Sequence, residues 1–402
     1  MNTYRHTKAI IHLQNLASNI QNLRQLIGQN QFFCPMVKAN GYGHGDVEIA
    51  LKLQELGVTS MGVSLIEEGL LLRQMGVQTQ ILVFGSFDQT AVTTVEQHKL
   101  TPVVGLWEQI EVLEKNLKNP ISIHLKFDTG MHRLGFPWQE ADQVFEYFNK
   151  KNSKLKIAGI CTHLHSAEDA SEVNGKSFEQ LRRFQEVERF FIHMNPIIHT
   201  LNSAGMLNFI KMRSEGLSGL PGISLNQGVR PGLAIYGYSS LKFEIPGLSL
   251  KPVMSLRSEV IRYHQLHLGE AVSYGHTWRA GRESVIGIVP IGYADGVHRV
   301  LSNRGVVLFD GQKVPVVGNI CMDFLMIDVT DVVQGRRLES YQNAEVTLFG
   351  YDSKNNLISV SEVAEKSQTI PWEILTSVGE RVPRVIEDDF GVQSGMIKEV
   401  RV

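Results

Sequence analysis

Short apolar runs alternate with helical patterns across residues 32–237, and this alternation constrains the fold more than any other feature. The runs are rich in β-branched and aromatic residues, and stretches with helical spacing separate many of them. Strands that alternate with helices form right-handed βαβ units around a parallel sheet. Eight such units predict a (β/α)8 barrel, with an open doubly wound sheet as the alternative. The predicted strands are 32–38, 59–65, 79–85, 101–105, 121–128, 156–165, 197–203 and 228–237.

The pattern changes near residue 246, where IPGLSLKP carries the proline and glycine residues typical of a boundary. Short β-rich runs separated by turn residues follow, and DGQK at 310–313 predicts a β-hairpin. The chain of 402 residues is long enough for two domains. We therefore predict a barrel domain over 1–245 and a mostly β domain over 246–402. Helical spacing of apolar residues also predicts an amphipathic helix over 13–27.

Composition excludes several classes of function. The formal charge of −2 gives no electrostatic basis for binding nucleic acid or a membrane surface. The sequence has no apolar run of the roughly 18 residues that a membrane-spanning helix needs, and the N-terminal residues do not resemble a secretory signal. Cys34, Cys161 and Cys321 are far apart and odd in number, which favours reduced thiols. We expect a cytoplasmic protein.

Polar residues follow the ends of the predicted barrel strands. Active sites of (β/α)8 barrels form at the carboxyl ends of the strands, so these residues are expected to share one site. That site would combine amines, imidazoles, a hydroxyl and glycine-rich turns. The residues are Lys38, Lys126, Asp128, Arg133, His163, His165, Asn202, Ser203 and Arg230.

This set of groups suits an anionic, conjugated cofactor. A lysine that is desolvated at the end of an apolar strand has a lowered pKa, so Lys38 can react as a free amine. The hydroxyl of Ser203 and the amides of the glycine turn near Gly232 would hold a phosphate. Arg230 would lie beside a ring nitrogen. The combination predicts pyridoxal 5'-phosphate.

Each of these residues also has a purely structural interpretation. Lys38 would then only extend its ammonium group to solvent at a strand end. GYGHG would be a tight turn, because it lacks the GK[ST] ending of a P-loop. Asn202 and Ser203 would cap the next helix, and Arg133 and Arg230 would form structural ion pairs.

A metal site is a further alternative at the end of the sixth predicted strand. His163 and His165 share one strand face and would ligate a metal with Glu168 or Asp169. No third ligand has a recognisable spacing, so we expect no metal.

Longer motifs occur in order along the chain: VKANGYGHG, LKFDTGMHRLGF, GICTHLHSAED, LNSAG, VRPGLAIYG, VSYGHTW, IPIGYADG and GNICMD. Taken together, from about residue 9 to about residue 385, they resemble the bacterial alanine racemases. The resemblance implies a barrel that binds pyridoxal 5'-phosphate, a C-terminal β domain and a homodimer with composite active sites. It also implies that two bases interconvert L-alanine and D-alanine, which supplies D-alanine for peptidoglycan.

The resemblance implies roles for individual residues. Lys38 would hold the cofactor covalently and act as one catalytic base, and Tyr274 of the partner subunit would act as the other. Arg230 would face the pyridine nitrogen, and Lys126 would orient Arg133. Arg133 and Met322 would bind the substrate carboxylate. The other cofactor-binding residues would be Tyr42, His163, Ser203, Gly232 and Leu233, and the other supporting residues Tyr293, Arg299 and Asp323.

Three positions depart from the family's pattern. Trp372 stands where the family usually has a tyrosine, Asn319 replaces a common arginine, and His132 replaces a glycine. A changed access channel would admit larger side chains, so a racemase of broader specificity, acting on serine or other amino acids, stays an alternative.

Two other functions share the barrel and the cofactor. A barrel-type amino-acid decarboxylase would usually carry an acid at the ring nitrogen, where this chain has Arg230. A non-enzymatic cofactor-binding barrel would lack the second domain and Tyr274.

Overall fold

The computed structural model describes residues 4–29, 31–150, 152–169, 175–217, 219–220, 223–224, 227–388 and 391–393. The chain forms two compact units. The first, called the barrel unit, comprises Ala17–Gly41 and Asp46–Leu250. The second, called the β unit, comprises Met1–Leu16, Tyr42–Gly45 and Lys251–Val402.

A curled parallel sheet forms the centre of the barrel unit. Among the described residues it has seven strands, and each pairs with the next along the chain. In order they are Ser60–Val63, Gln80–Val83, Leu100–Val104, Ile121–Asp128, Leu155–Cys161, Ile197–Leu201 and Gly228–Val229. The short strand Phe136–Pro137 pairs with Ile121–Asp128. These strands confirm seven of the eight predicted positions, although the last ends early, where Pro231 has no amide donor.

Residues 33–37 close the barrel between its first and last strands. The amide of Cys34 donates to the carbonyl of Val229 at 2.9 Å, and the amide of Val37 donates to the carbonyl of Gly62 at 2.9 Å. The predicted strand over 32–38 is therefore only a pair of isolated parallel bridges. Pro35 has no amide to donate, so a regular ladder cannot form here. The fold is nevertheless the predicted (β/α)8 barrel with a separate strand-rich domain.

Helices cover the outside of the sheet. The predicted amphipathic helix is confirmed as Leu13–Ile27. The helices that follow are Asp46–Glu55, Ile66–Gln74, Val92–Gln97, Trp107–Asn116, Ala141–Lys150, Lys176–Phe191 and Ser203–Ser214. Short 3-10 helices occur at Gln89–Ala91, Trp138–Glu140, Ala167–Asp169 and Ile192–Met194, and a two-stranded pair joins Gly219–Leu220 and Ile223–Ser224.

Strand Ile121–Asp128 shows how the sequence divides its side chains between two layers. Ile123, Leu125 and Phe127 are fully buried in the core that packs on the helices. Successive side chains of a strand point to opposite faces, so His124 and Lys126 lie on the inner face of the barrel. The strand therefore supplies both the helix-packed core and polar groups of the interior.

The described residues of the β unit form three sheets. The largest runs in the order Gln312–Pro315, Val306–Phe309, Glu345–Tyr351, Met254–Glu259, Lys8–His12, Arg384–Asp388 and Gly391–Gln393, with Leu357–Ile358 on Glu345–Tyr351. The second joins Arg262–Leu266, Ser284–Val289 and Leu325–Asp328, and the third joins Ala271–Val272 and Trp278–Arg279. The helices of this unit are Thr330–Val333, Val360–Lys366 and Pro371–Thr376, with 3-10 helices Tyr274–His276, Tyr293–Asp295, Arg299–Leu301 and Leu338–Tyr341.

Two details of the β unit bear on the sequence predictions. The DGQK hairpin is confirmed, because Phe309 pairs with Gln312 across a two-residue loop. Asp310 and Gly311 have φ angles of 51° and 82°, the positive values that such a loop requires. Strand Lys8–His12 was not predicted, and it pairs with strands from the far end of the sequence. Within the described residues, the helices are too short or too polar to cross a membrane.

Candidate active site

Lys38 begins a left-handed turn. Ala39, Asn40 and Gly41 have φ angles of 53°, 53° and 58°, and Tyr42 continues the run at 53°. A left-handed conformation costs roughly 1–2 kcal/mol for each residue that carries a Cβ atom. The surrounding contacts must therefore hold this turn, and strain of this kind is concentrated at functional sites.

The carboxylate of Glu68 stabilises the start of the turn. It accepts hydrogen bonds from the amides of Ala39 at 2.6 Å, Ser64 at 2.8 Å and Leu65 at 3.0 Å. Burial and the positive charge of Arg133 lower the pKa of Lys38, while the negative charge of Glu68 opposes this shift. Glu68 therefore orders the backbone next to Lys38 and also raises the pKa of the Lys38 amine. Sequence reasoning missed Glu68, which looked like an ordinary residue of a helix.

Close packing explains why position 43 requires a glycine. Gly43 has φ +82°, and a Cβ atom there would overlap the carbonyl oxygen of Leu375. The buried guanidinium of Arg384 donates twice to the carbonyl of Gly43, at 3.0 and 2.9 Å. Tyr42 is buried, which raises the pKa of its hydroxyl and keeps it a donor. GYGHG is thus a close-packed backbone segment rather than a flexible loop.

Cationic groups from several strand ends surround His163. Its pKa is held well below the ordinary value by burial first, and then by the charges of Arg230, Lys126, Arg133 and Lys38. Burial also lowers the pKa of Lys126, as do the charges of Arg230 and Arg133. The structure therefore brings these five predicted residues into one electrostatic cluster, called the cation cluster.

Arg133 lies in the loop after strand Ile121–Asp128 and is exposed. Asp128 shapes this loop, because its carboxylate accepts hydrogen bonds from the amides of Gly130 at 2.8 Å and Arg133 at 3.2 Å. His132, one of the departures from the family's pattern, has φ 53° in the same loop. The loop follows strand Ile121–Asp128, as the sequence predicted.

Arg230 is buried and donates to neutral acceptors. Its Nη1 atom donates to the imidazole Nδ1 of His199 at 2.7 Å, and its Nη2 atom donates to the carbonyl of Thr162 at 2.6 Å. The guanidinium carbon also lies 5.7 Å from the centre of the Phe84 ring. These partners are an imidazole, a backbone carbonyl and an aromatic ring, whereas the alternative interpretation of Arg230 was a structural ion pair.

Backbone amides converge on the hydroxyl of Ser203, the first residue of helix Ser203–Ser214. Its Oγ atom accepts hydrogen bonds from the amides of Gly232 at 2.9 Å and Ala234 at 3.2 Å. Asn202 caps the helix, since its side chain accepts from the amide of Gly205 at 3.0 Å. Amides, a hydroxyl and a helix N-terminus together form a typical phosphate-binding arrangement.

The residues fit pyridoxal 5'-phosphate. Burial and repulsion from neighbouring cations lower the pKa values of Lys38, Lys126 and His163. An anionic ligand would therefore stabilise the positive charge of the cluster. The donors around Ser203 suit its phosphate, and the amine of Lys38 suits its aldehyde.

The predicted residues of the β unit form a second, exposed cluster. The side chain of Asn319 donates to the carbonyl of Tyr274 at 2.7 Å, and the amide of Tyr293 donates to the carbonyl of Cys321 at 3.1 Å. Tyr274 is 72% exposed, Met322 52% and Tyr293 44%. This group, called the exposed cluster, consists of Tyr274, Tyr293, Asn319 and Met322.

A buried carboxylate holds the turn that carries Tyr293. Asp295 is fully buried and accepts from Arg5 at 2.7 Å, from Arg381 at 2.8 Å and from the amide of Gly292 at 2.9 Å. Arg381 also pairs with Asp323 at 2.6 Å, which ties the supporting residue Asp323 to the same network. Arg299 is exposed on the short helix Arg299–Leu301.

No group of three or more potential metal ligands was found among the described side chains. The carbonyl of His163 accepts from Gln180 at 3.1 Å, and the exposed ring of His165 contacts the hydroxyl of Ser166 at 2.7 Å.

Comparison with known proteins identifies the family. The profile described as "Alanine racemase, N-terminal domain" matches residues 11–240, and "Alanine racemase, C-terminal domain" matches residues 253–386. The chain belongs to the alanine racemase family.

Two curated alanine racemases illustrate the similarity. The alanine racemase of Sorangium cellulosum is 38% identical over 395 residues, covering 94% of this chain and 98% of the relative. That of Halothermothrix orenii is 34% identical over 394 residues, covering 96% and 98%.

Solved alanine racemases have the same fold. The enzyme of Clostridium difficile is 28% identical with a TM-score of 0.84, covering 98% of each chain. The Bacillus anthracis structure with bound L-Ala-P is 29% identical with a TM-score of 0.83, covering 98% of this chain and 97% of the other. The Bartonella henselae alanine racemase, with covalently bound pyridoxal phosphate, is 28% identical with a TM-score of 0.80, covering 95% and 99%.

Replacing Glu68 by glutamine should lower the pKa of Lys38 further, because the negative charge that opposes the shift is lost. It should also cost about 1–3 kcal/mol of stability, because a charged acceptor of three amides becomes neutral. The pH dependence of Lys38 acetylation, followed by mass spectrometry, measures the first effect. Glu67→Gln, at the exposed neighbouring position, is the control, and identical acetylation profiles for the two variants would contradict the role of Glu68.

Replacing Gly43 by alanine should destabilise the protein more than Gly269→Ala does. Both glycines have nearly the same φ, +82° and +86°, but nothing lies within 4 Å of a Cβ atom at Gly269. The shared backbone strain costs about 1 kcal/mol, and the overlap with Leu375 should add about 1–3 kcal/mol at Gly43. Thermal unfolding of both variants measures the difference; equal melting temperatures would refute it.

Proposed function

We propose that the protein is a racemase that interconverts L-alanine and D-alanine with pyridoxal 5'-phosphate as cofactor. The cation cluster around Lys38, in a chain that matches both domains of the family, carries this conclusion. The broader-specificity alternative, based on Trp372, Asn319 and His132, is not favoured. The relatives and solved structures described above are all alanine racemases.

The same matches argue against the two other candidate functions. A cofactor-binding barrel alone would leave residues 253–386 unexplained, whereas they match the family's second domain. In keeping with this, we propose 1–245 as the cofactor-binding barrel domain and 246–402 as the β domain. Residues 1–16 and 42–45 fall in the first range by sequence but belong to the β unit by their contacts.

The bound cofactor would supply a ring that withdraws the electron pair left at the substrate Cα atom when its proton is removed. Lys38 would carry the cofactor covalently. The phosphate would be bound by the hydroxyls of Tyr42 and Ser203 and by the amides of Gly232 and Leu233. Support comes from the hydroxyl of Ser203, on which backbone amides converge.

Racemisation removes a proton from one face of Cα and returns one to the other. Two opposed bases achieve this without a rearrangement of the substrate. Lys38 would move the proton at Nζ on one face, and Tyr274 of the partner subunit would move it at Oη on the other. The lowered pKa of Lys38 supports this role, because a neutral amine is the form that accepts a proton.

Other residues would hold the reacting groups in place. Arg133 would pair with the substrate carboxylate, and Lys126 would orient Arg133 from the barrel interior. His163, whose low pKa keeps it neutral, would connect Arg230 with Tyr274 of the partner subunit. Arg230 would face the pyridine nitrogen as a donor that cannot deliver its proton.

We propose a homodimer in which the exposed cluster of one subunit completes the barrel site of the other. The exposure of Tyr274 and Met322 supports this, since large apolar side chains grouped at a surface mark interaction sites. Met322 would then offer its amide to the substrate carboxylate, with Tyr293, Arg299 and Asp323 around the access channel.

D-alanine made in this way would serve peptidoglycan synthesis in the cytoplasm. The three cysteines support a reducing compartment, because all three are free thiols and Cys34 and Cys161 are buried. Small-molecule amino acids would be the substrates.

Tyr274→Phe removes the proton-carrying hydroxyl but keeps the ring. Racemisation, followed by circular dichroism on L-alanine, should fall by about 10² to 10⁴-fold. Because Lys38 is intact, exchange of the Cα proton for solvent deuterium should persist with one enantiomer and stop with the other. Tyr4→Phe, at a 94% exposed position of the β unit, is the control. A variant that still inverts both enantiomers at the normal rate would disprove the two-base assignment.

Mixing Lys38→Ala with Tyr274→Phe tests the shared site. Each variant alone should be inactive. After subunit exchange, a mixed dimer should contain one site with both bases intact, and a random mixture should recover about one quarter of the normal activity. No recovery after demonstrated exchange would show that both bases come from the same chain.

A further inference from the structure

Two histidines lie behind Arg230 inside the barrel. The Nη1 atom of Arg230 lies 2.7 Å from Nδ1 of His199, and Nε2 of His199 lies 2.7 Å from Nδ1 of His124. Both imidazoles are fully buried, with ring centres 4.9 Å apart. Phe32 packs against both rings, and the centre of its ring lies 6.1 Å from that of His124 and 5.1 Å from that of His199. The three polar residues form a continuous hydrogen-bonded row.

The chemistry of the groups determines where every proton of this row lies. Arginine has only donors, so Nδ1 of His199 must accept from Arg230. Burial and the charge of Arg230 hold the pKa of His199 well below its ordinary value, so the ring is neutral. Its single proton is then on Nε2 and is donated to His124.

The same reasoning extends to His124. Burial lowers the pKa of His124 to about 4, so this ring is also neutral. Because its Nδ1 atom accepts from His199, its proton is on Nε2. Within the described part of the chain, that Nε2 atom is buried without a hydrogen-bond partner.

Gly159 on the neighbouring strand leaves room for the imidazole of His124. A Cβ atom at Gly159 would overlap Nδ1 of His124, the atom that accepts the hydrogen bond. Gly159 has no positive φ that would explain a glycine in strand Leu155–Cys161. Its small size therefore serves the position of the imidazole.

We propose that His124 is a positioning residue that anchors the imidazole of His199 and thereby holds the guanidinium of Arg230 in its orientation toward the cofactor ring. The proposal rests on the role proposed above for Arg230. Arg230 fixes the proton of His199 on Nε2, and His124 supplies the acceptor for that proton. Without an acceptor at position 124, the Nε2–H group would be unpaired and the ring of His199 would lose the hydrogen bond that fixes its orientation.

The test compares His124→Asn with His124→Leu. Asparagine places an acceptor oxygen close to the position of Nδ1, whereas leucine has nearly the same shape without an acceptor. His193→Leu, at an exposed position of the barrel unit, controls for loss of a histidine. Long-range proton–nitrogen NMR spectra of protein labelled at histidine report which ring nitrogen carries the proton.

In the unmodified protein, both His124 and His199 should show the Nε2–H form near pH 7.5. Both variants should keep the Nε2–H form at His199, because Arg230 still donates to Nδ1. In His124→Asn the Nε2–H proton should keep the chemical shift and the slow solvent exchange of a hydrogen-bonded group, whereas in His124→Leu it should lose both. The kcat of the leucine variant should fall about tenfold, with the KM for alanine changed less than twofold, because Arg230 would face the cofactor ring and not the substrate. The asparagine variant should recover most of the kcat.

An Nδ1–H form of His199 in the unmodified protein would overturn the proposal, and this spectrum does not depend on the folding of any variant. Equal kcat values and equal spectra for the leucine and asparagine variants would overturn it as well. If the expected spectra occur in a protein that does not racemise alanine, the proposed function fails while the positioning of Arg230 by His124 stands.

Discussion

Positive charge buried at the carboxyl ends of the barrel strands is the constraint on which the site depends. Lys38, Lys126 and Arg230 lose hydration there, and repulsion from Arg133 adds to the cost of the charged forms of the two lysines. The charges of Glu68 and Asp128 compensate only in part. The excess of positive charge explains why an anionic cofactor is the ligand that this barrel fits.

The backbone at Lys38 shows how such a site is kept rigid. A run of left-handed residues would not form in an isolated peptide, because each residue with a Cβ atom is disfavoured. The amide of Ala39 at the start of the run donates to Glu68, which also accepts from the amides of Ser64 and Leu65. The carbonyl of Gly43, directly after the run, accepts twice from Arg384. Charged side chains therefore order the backbone that carries Lys38.

The sequence predicted the barrel and most of its polar site because both depend on local patterns. Periodicity located seven strands of the barrel, and polar residues at their ends met at one site because parallel strands end on the same side. The prediction of a regular strand over 32–38 was wrong. The effect of Pro35 depends on which strands lie beside the segment, and the local sequence does not show this. Strand Lys8–His12 depends on partners more than 240 residues away, which no local pattern reports.

Supporting residues were harder to predict for the same reason. Glu68, His199 and Arg381 act through contacts between segments that are distant in sequence. A weak signal did exist for His124, because it precedes Lys126 by two residues and so shares its strand face. Its function required the position of His199.

The closure of the barrel by residues 33–37 has a mechanical consequence. Backbone hydrogen bonds join this segment to Val229 and Pro231 on one side and to Gly62 on the other. A segment whose backbone is paired on both sides opens only at a higher free energy than a loop does. Lys38 therefore follows an anchored segment, and the position of its backbone is tied to both ends of the curled sheet.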